Sequence, residues 1–248
     1  MRERIHGVLD ANPFKHFVIE RLLRSRVGKE LTILGSENLE KARKLKNSGA
    51  ALIFFPNHLS HADGPVLDLA LRKLGYTEIV GSLYFMQGSV IDGNLITKFL
   101  VTAYQVISIP SQRLEVKDPV KRTKLKNRAH SAAMEVLNTG GALGVLAQGS
   151  RSRDKKLHPE QVNPNTAIYL DMAPNTYIIP VGIVGTEEIL KPGKFFPSKG
   201  KVTIIFGEPV SALELKQQAI LADSENVNAK IMENIMGRIS ALLPEEYR

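Results

Sequence analysis

The sequence predicts an α/β fold in which a mixed, largely parallel central sheet is flanked by helices, with an amphipathic helical segment at the N-terminus. Short apolar runs typical of buried strands alternate with stretches whose apolar residues recur at helical spacing. Hydrophobic residues make up 43% and charged residues 23% of the 248 residues, as in ordinary folded proteins. No internal repeat or low-complexity segment divides the chain, so we expect one domain over residues 31–248.

The elements follow in order from these patterns. Ala51–Phe55 is apolar throughout, as expected of a strand buried on both faces, and Pro56 and Asn57 stop it. The predicted strands are Leu31–Leu34, Ala51–Phe55, Ile79–Leu83, Gln105–Ile109, Leu143–Ala147, Tyr177–Val184 and Val202–Phe206. The predicted helices are Asn38–Asn47, Pro65–Leu74, Leu95–Thr102, Val120–Asn138, Asn165–Asp171 and Ala212–Leu243, the last with a possible break. Lys191–Lys201, rich in Pro, Gly and Lys, is predicted as a surface loop.

Residues 1–30 are predicted to form a basic amphipathic helix. Its apolar side chains are assigned to one face, and basic side chains surround that face. The apolar set is Phe14, Phe17, Val18, Leu22 and Leu23, and the basic set is Lys15, Arg21, Arg24 and Arg26. Such a helix suits the surface of an anionic bilayer. The alternative is a helix that packs over the core of the chain's own domain.

A formal net charge of +8 and a pI near 9.6 favour an anionic partner. No tract alternates basic with aromatic residues, so a nucleic-acid stacking platform is disfavoured. The absence of cysteine excludes disulfides, a thiol nucleophile and cysteine metal sites, and it is compatible with the cytoplasm. No apolar run approaches the ~18–20 residues of a membrane-spanning helix, and no signal-peptide pattern is present.

The segment between the strand Ala51–Phe55 and the next helix carries a candidate acid–base pair. His58 follows the strand directly, and Asp63 comes five residues later. A carboxylate on one ring nitrogen fixes the tautomer of a histidine and leaves the other nitrogen free as a base. In α/β proteins ligands bind at this edge of the sheet. A histidine that merely caps the helix is the alternative, and His61 raises the possibility of a metal site, although the spacing matches no standard metal motif.

Two further polar clusters follow predicted strands. Arg113 comes shortly after the strand Gln105–Ile109, and the segment 148–153, Gln-Gly-Ser-Arg-Ser-Arg, follows the strand Leu143–Ala147. Guanidinium groups bind phosphate oxygens in a bidentate manner, and Gly149 allows a ligand to approach the backbone closely. No serine lies in a G-x-S-x-G elbow. Direct transfer to a hydroxyl that His58 deprotonates is therefore favoured over a covalent acyl-enzyme.

Together these segments resemble the four motifs of the glycerol-phosphate and 1-acylglycerol-3-phosphate acyltransferase superfamily. Asn57-His58, four residues and Asp63 resemble the first motif, and residues 109–113, Ile-Pro-Ser-Gln-Arg, resemble the second. Residues 148–152, Gln-Gly-Ser-Arg-Ser, resemble the third, which is commonly Glu-Gly-Thr-Arg-Ser, and residues 179–181, Ile-Pro-Val, resemble the fourth. The order and approximate spacing match over roughly residues 30–210. Two departures are the glutamine in place of glutamate and the polar character of residues 110–112.

The resemblance implies a role for each matching residue in an acyltransferase domain, residues 31–248. His58 would be the general base and Asp63 its orienting acid. The substrate-binding set would be Asn57, Arg113, Gln148, Gly149, Ser150, Arg151 and Pro180, with the arginines holding the phosphate of the acceptor. No cofactor and no metal are expected.

The reaction expected from the resemblance moves an acyl chain from acyl-CoA or acyl-acyl carrier protein to 1-acylglycerol-3-phosphate, giving phosphatidic acid. The expected location is the cytoplasm, peripheral on the anionic inner face of the cell membrane, and no nucleic-acid partner is expected. An acyltransferase for glycerol-3-phosphate or an amino-lipid is an alternative, left open by Gln148. A non-catalytic anionic-lipid-binding protein is another.

Overall fold

The fold is of the α/β class, with a mixed β-sheet that carries helices on both faces. The computed structural model of the chain describes residues 8–88, 99, 102–109, 119–146, 148–170, 175–191 and 196–248. Over these residues nine strands form one sheet, in the order β1-β5-β4-β6-β3-β7-β8-β2, with β9 paired to β7. The strands are β1 (Val8–Leu9), β2 (Leu31–Leu34), β3 (Ala51–Pro56), β4 (Leu83–Gly88), β5 (Val106–Ile109), β6 (Ala142–Val145), β7 (Thr176–Val184), β8 (Val202–Phe206) and β9 (Val210–Ser211).

The pairing is largely parallel. Strands β5, β4, β6, β3 and β7 are parallel neighbours, and β2 is parallel to β8. The short strands β1 and β9 pair antiparallel to β5 and β7, and β8 also pairs antiparallel to β7. The predicted mixed, largely parallel sheet flanked by helices is therefore confirmed. Because five neighbouring strands point the same way, the segments that follow them meet at one edge of the sheet.

The helices cover two separate cores, one on each face of the sheet. They are α1 (Pro13–Val27), α2 (Ser36–Asn47), α3 (Asp63–Lys73), α4 (Thr77–Val80), α5 (Pro119–Asn138), α6 (Thr186–Ile189), α7 (Ala212–Ala222) and α8 (Val227–Leu242). Side chains alternate along β3, so Ile53 and Phe55 face the core beneath α5, α7 and α8, whereas Leu52 and Phe54 face the core beneath α1 to α4. This two-sided burial explains why β3 is apolar throughout.

Several predicted boundaries differ from the structure. The predicted strand Ile79–Leu83 is wrong, because Ile79 lies in the buried one-turn helix α4 and the strand begins only at Leu83. A short apolar run cannot distinguish a buried helical turn from a strand. The predicted helix Asn165–Asp171 is a 3₁₀ helix, Pro164–Leu170. The predicted C-terminal helix is indeed broken, between α7 and α8. The predicted helix Leu95–Thr102 lies largely outside the described residues.

The N-terminal helix α1 has apolar side chains on two opposite faces, so the prediction of a single apolar face is wrong. Ile19, Leu23 and Val27 are buried against the domain. Phe14, Phe17 and Val18 are exposed, at 74%, 59% and 36% respectively. At 100° per residue, Leu23 lies about half a turn around the helix from this exposed group. We call Phe14, Phe17, Val18 and the exposed Arg21 and Arg24 the outer face of α1.

A second histidine–aspartate pair fastens α1 to α3. His16 Nε2 donates to Asp68 Oδ2 at 3.0 Å, and the same oxygen accepts from Arg72 Nε at 2.9 Å. Asp68 is buried. The inner face of α1 is therefore fixed to the domain by both apolar and polar contacts. Among the described residues, no helix is long and apolar enough to cross a membrane.

Candidate active site

Three loops meet at the carboxyl edge of the sheet, because β6, β3 and β7 are parallel neighbours. The loop after β3 contains His58, the loop after β6 contains residues 148–152, and the segment after β7 begins with Gly185 and Thr186. The first two of these loops carry polar clusters that were singled out in the sequence. Thr186 was not singled out, although it also follows a predicted strand.

His58 and Asp63 form the predicted pair across one tight turn. The ring of His58 donates through Nδ1 to Asp63 Oδ2 at 2.8 Å. Asp63 is the first residue of α3 and is fully buried, and only 11% of the His58 side chain is exposed. Among the described residues, Nε2 makes no hydrogen bond. This geometry fixes the tautomer in which Nε2 carries a lone pair and can accept a proton.

The carboxylate of Asp63 is held by four donors. Besides His58, its Oδ2 accepts from the backbone N–H groups of Leu59 at 2.7 Å and Ser60 at 2.9 Å. Its Oδ1 accepts from the hydroxyl of Thr186 at 2.5 Å. Four donors stabilise an ionised carboxylate in a buried position, where an unpaired charge would be costly. Asp63 is thus suited to balance a positive charge on the imidazole of His58.

Asn57 extends the pairing of β3 with β7 beyond Pro56. Its Nδ2 donates to the backbone oxygen of Ile183 at 2.9 Å, and its Oδ1 accepts from the backbone N–H of Ile183 at 2.7 Å. Asn57 is buried, and these two bonds use both ends of its amide. The side chain therefore sets where the chain leaves the strand, immediately before His58. Its predicted contact with substrate stays a prediction.

The loop after β6 holds the backbone of His58 at both ends. The N–H of His58 donates to Gln148 Oε1 at 3.0 Å, and its carbonyl oxygen accepts from the N–H of Ser152 at 2.8 Å. Gln148 is buried, and its Nε2 finds no hydrogen-bond partner among the described residues. A glutamate at this position could accept the same bond from the N–H of His58. The glutamine therefore keeps this contact but lacks the negative charge that a glutamate would carry.

Gly149 and Ser150 form the exposed part of the same loop. Gly149 is exposed and has a φ of +65°, a backbone conformation that favours glycine. Ser150 is partly exposed beside it. Pro180, in contrast, is buried within β7 opposite Phe55, and its carbonyl oxygen accepts from the N–H of Gly207 at 2.8 Å. Gly149 and Ser150 are therefore accessible, whereas Pro180 is buried in the sheet and its predicted contact with substrate stays a prediction.

Arg151 and His61 lie close enough to interact electrostatically. Burial, the positive charge of Arg151 and the neighbouring His58 together lower the pKa of His61 to about 4, against a smaller opposite effect of Asp63. His61 is therefore neutral at pH 7. Arg151 is partly exposed, so its guanidinium can reach an anion. The groups of His, Asp and Glu that the structure describes include none arranged to hold a metal ion.

Arg113 and residues 110–112 lie outside the described residues. The strand that precedes them, β5, belongs to the parallel set, and its end faces the same edge of the sheet as His58. The predicted role of Arg113 stays a prediction.

The arrangement combines a base, its counter-charge and an adjacent cation at one edge of the sheet. His58 Nε2 can take a proton from a hydroxyl, and Asp63 can stabilise the resulting imidazolium. Arg151, which precedes the residue bonded to the carbonyl oxygen of His58, can hold an anionic group. Such a set is suited to activating a phosphate-bearing alcohol as a nucleophile.

Comparisons with known proteins bear on the family and the fold. The sequence matches the family model described as Acyltransferase over residues 30–184, which is more than half of the chain. The fold is similar to the crystal structure of the 1-acyl-sn-glycerophosphate (LPA) acyltransferase, PlsC, from Thermotoga maritima, with a TM-score of 0.56 and 18% sequence identity. That similarity covers 92% of this chain and 79% of the other. Among curated proteins there is no significant match.

Proposed function

The chain belongs to the acyltransferase family, and we propose that it transfers a fatty acyl chain from an acyl thioester to the hydroxyl of 1-acylglycerol-3-phosphate, giving phosphatidic acid. The observation that carries this proposal is the His58–Asp63 pair at 2.8 Å, with the loop that contains Arg151 bonded to the carbonyl oxygen of His58 through Ser152. The Thermotoga maritima protein of similar fold is a 1-acyl-sn-glycerophosphate (LPA) acyltransferase, which supports that acceptor.

The proposed reaction is direct transfer. His58 Nε2 takes the proton of the acceptor hydroxyl as its oxygen attacks the thioester carbonyl carbon. The imidazolium so formed is stabilised by Asp63, whose carboxylate is already held by four donors. When the tetrahedral intermediate collapses, the C–S bond breaks and the thiolate takes the proton from His58. The products are the ester and the free thiol, and no cofactor or metal is required.

The acceptor phosphate is assigned to Arg151, with Arg113 as a second ligand. Arginine offers two parallel N–H donors to a phosphate and remains charged at all relevant pH values. The net charge of +8 would also attract anionic substrates, including acyl-CoA or an acidic acyl carrier protein. Gly149, with its exposed backbone at positive φ, would allow the phosphate to approach the loop closely.

An acceptor panel tests this assignment. Purified protein is incubated with an acyl-CoA and, separately, with 1-acylglycerol-3-phosphate, glycerol-3-phosphate, a lyso-amino-lipid and a monoacylglycerol, and the acylated product is measured by mass spectrometry. We expect the highest kcat/KM with 1-acylglycerol-3-phosphate and a large loss without the phosphate. Preference for glycerol-3-phosphate or the amino-lipid would favour an alternative acceptor. Binding to lipid with no turnover on any acceptor would favour the non-catalytic alternative.

The same panel with Gln148→Glu tests the departure in the third motif. A glutamate can keep the bond from the His58 N–H, and it adds a negative charge to the loop that contains Arg151. This charge can alter the acceptor preference. Unchanged preference would mean that Gln148 does not set the acceptor.

We also propose that the outer face of α1 binds the anionic inner face of the cell membrane. Two phenylalanines and a valine are exposed there next to two arginines, a combination that suits the lipid interface. Ile19, Leu23 and Val27 anchor the opposite face to the domain. The helix would then lie along the membrane surface and keep the domain close to its lipid acceptor.

The double variant Phe14→Ser/Phe17→Ser is expected to weaken binding to phosphatidylglycerol-containing vesicles by about 10- to 100-fold, since each phenylalanine loses part of its ~1.5–3 kcal/mol of burial. Vesicle co-sedimentation measures the change. The matched control is Leu213→Ser/Leu221→Ser on α7, since these leucines are 56% and 89% exposed and α7 covers the other face of the sheet. Equal losses in the two double variants would contradict the assignment to α1.

A further inference from the structure

Thr186 reaches the acid of the pair from a distant part of the sequence. It is fully buried at the start of α6, immediately after β7, and its hydroxyl donates to Asp63 Oδ1 at 2.5 Å. The other oxygen of that carboxylate accepts from His58, Leu59 and Ser60. Among the described residues, Thr186 is therefore the donor that satisfies Oδ1. None of the four sequence motifs includes this residue.

The bond from Thr186 restricts the rotation of the carboxylate. The three donors on Oδ2 all come from the turn that contains His58, so they move together with it. Thr186 approaches from the start of α6, which follows the neighbouring strand β7, and fixes the second oxygen. This bond sets the plane of the carboxylate relative to the ring of His58. Without this donor, a buried carboxylate oxygen would lose its partner, and the carboxylate could turn about its Cβ–Cγ bond.

Thr186 is itself held in place by its neighbours. The N–H of Leu190 donates to the carbonyl oxygen of Thr186 at 3.2 Å, and the carbonyl oxygen of Leu190 accepts from Ser60 Oγ at 3.1 Å. The segment 186–190 therefore contacts the turn at two points, Asp63 and Ser60. On its other side, Glu187 accepts from the hydroxyl of Tyr247 at 2.7 Å, so the C-terminal residues brace the same segment.

We propose that Thr186 is a positioning residue for acyl transfer, fixing Asp63 and, through it, the tautomer and orientation of His58. The proposal rests on the proposed function of His58 as the base. Thr186 acts through Asp63 and does not contact the reacting atoms. Its hydroxyl, rather than its bulk, carries the effect.

Three variants separate the hydroxyl from the packing. Thr186→Val keeps the shape and removes the donor, Thr186→Ala removes both, and Thr186→Ser keeps the donor. We expect Thr186→Val to lower kcat by about 10- to 100-fold, as for a lost bond to a charged group, with KM nearly unchanged. Thr186→Ser is expected to recover most of kcat. The matched control is Thr176→Val, because Thr176 is equally buried in β7 and its hydroxyl has no partner among the described residues.

The second readout is the Nδ1–H proton resonance of His58 in protein with ¹⁵N-labelled histidine, assigned by its loss in His58→Ala. We expect Thr186→Val to shift this resonance and speed its exchange with water, and Thr186→Ser and Thr176→Val to leave it near its wild-type position. If Thr186→Val is poorly folded, Thr186→Ala and Thr186→Ser give the comparison. A wild-type kcat and resonance in Thr186→Val, or equal losses in Thr186→Ser, would overturn the proposal. If wild-type protein acylates no acceptor, the proposed function fails, and the resonance alone decides whether Thr186 positions the pair.

Discussion

His58→Ala is expected to lower kcat for acyl transfer by about 10²- to 10⁴-fold, the range usual for loss of a general base. Among the described residues, Nε2 of His58 makes no hydrogen bond, so it can accept the proton of the acceptor hydroxyl. Alanine offers no group that could accept this proton. The two backbone bonds of residue 58, to Gln148 and Ser152, do not involve the ring and remain possible. The loss should therefore appear in kcat measured with 1-acylglycerol-3-phosphate and acyl-CoA, with the fold preserved in circular dichroism.

The chain offers a matched control for this variant. His16 also pairs with a buried aspartate, and 14% of its side chain is exposed, against 11% for His58. It lies on α1, and its partner Asp68 lies more than one helical turn further along α3 than Asp63. His16→Ala is therefore expected to reduce thermal stability and leave kcat within about three-fold, since pairs that share no partner behave independently. The assay uses detergent-dispersed substrate, so that binding of α1 to a membrane does not affect the measured kcat. Similar kcat losses in His16→Ala and His58→Ala would contradict the assignment of the base.

Asp63→Asn is expected to lower kcat by about 10²- to 10⁴-fold as well, for an electrostatic reason. An asparagine can keep the shape of the site, because its oxygen can accept from His58, Leu59 and Ser60 while its amide donates to the oxygen of Thr186. What it lacks is the negative charge that stabilises the imidazolium of His58. The variant should therefore fold and bind acceptor, and its kcat should fall further than that of Thr186→Val.

Asp68→Asn is the matched control, since Asp68 is a buried aspartate on the same helix that also pairs with a histidine. We expect this control to change the melting temperature more than kcat. Single-turnover measurements with both variants separate the chemical step from substrate binding. An Asp63→Asn enzyme with a wild-type single-turnover rate would contradict the role of the Asp63 charge.

The fold and the His58–Asp63 pair were predictable because both depend on local sequence. Five residues of chain bring Asp63 back to His58, and the fully apolar run Ala51–Phe55 predicts a strand buried on both faces. The parallel arrangement then implies that the loops after β3 and β6 meet. The structure shows this contact in two hydrogen bonds, from the N–H of His58 to Gln148 and from the N–H of Ser152 to His58.

The remaining features depend on contacts between distant parts of the chain. Thr186 lies 123 residues from Asp63, and Asn57 lies 126 residues from Ile183. The buried turn at Ile79 resembles a strand in hydrophobicity, and only its packing gives it a helical backbone. Only the packing of α1 against α3 distinguishes its two apolar faces. The contacts of Gln148 could not be inferred from its identity alone.

The most direct test of the central claim is whether thioester cleavage depends on both the acceptor and His58. Free thiol released from acyl-CoA is measured with and without 1-acylglycerol-3-phosphate, in the wild-type protein and in His58→Ala. We predict that the wild-type protein releases thiol only when the acceptor is present, one equivalent for each phosphatidic acid formed, and that His58→Ala releases almost none. Equal release without acceptor, or an unchanged rate in His58→Ala, would contradict direct transfer to a hydroxyl activated by His58.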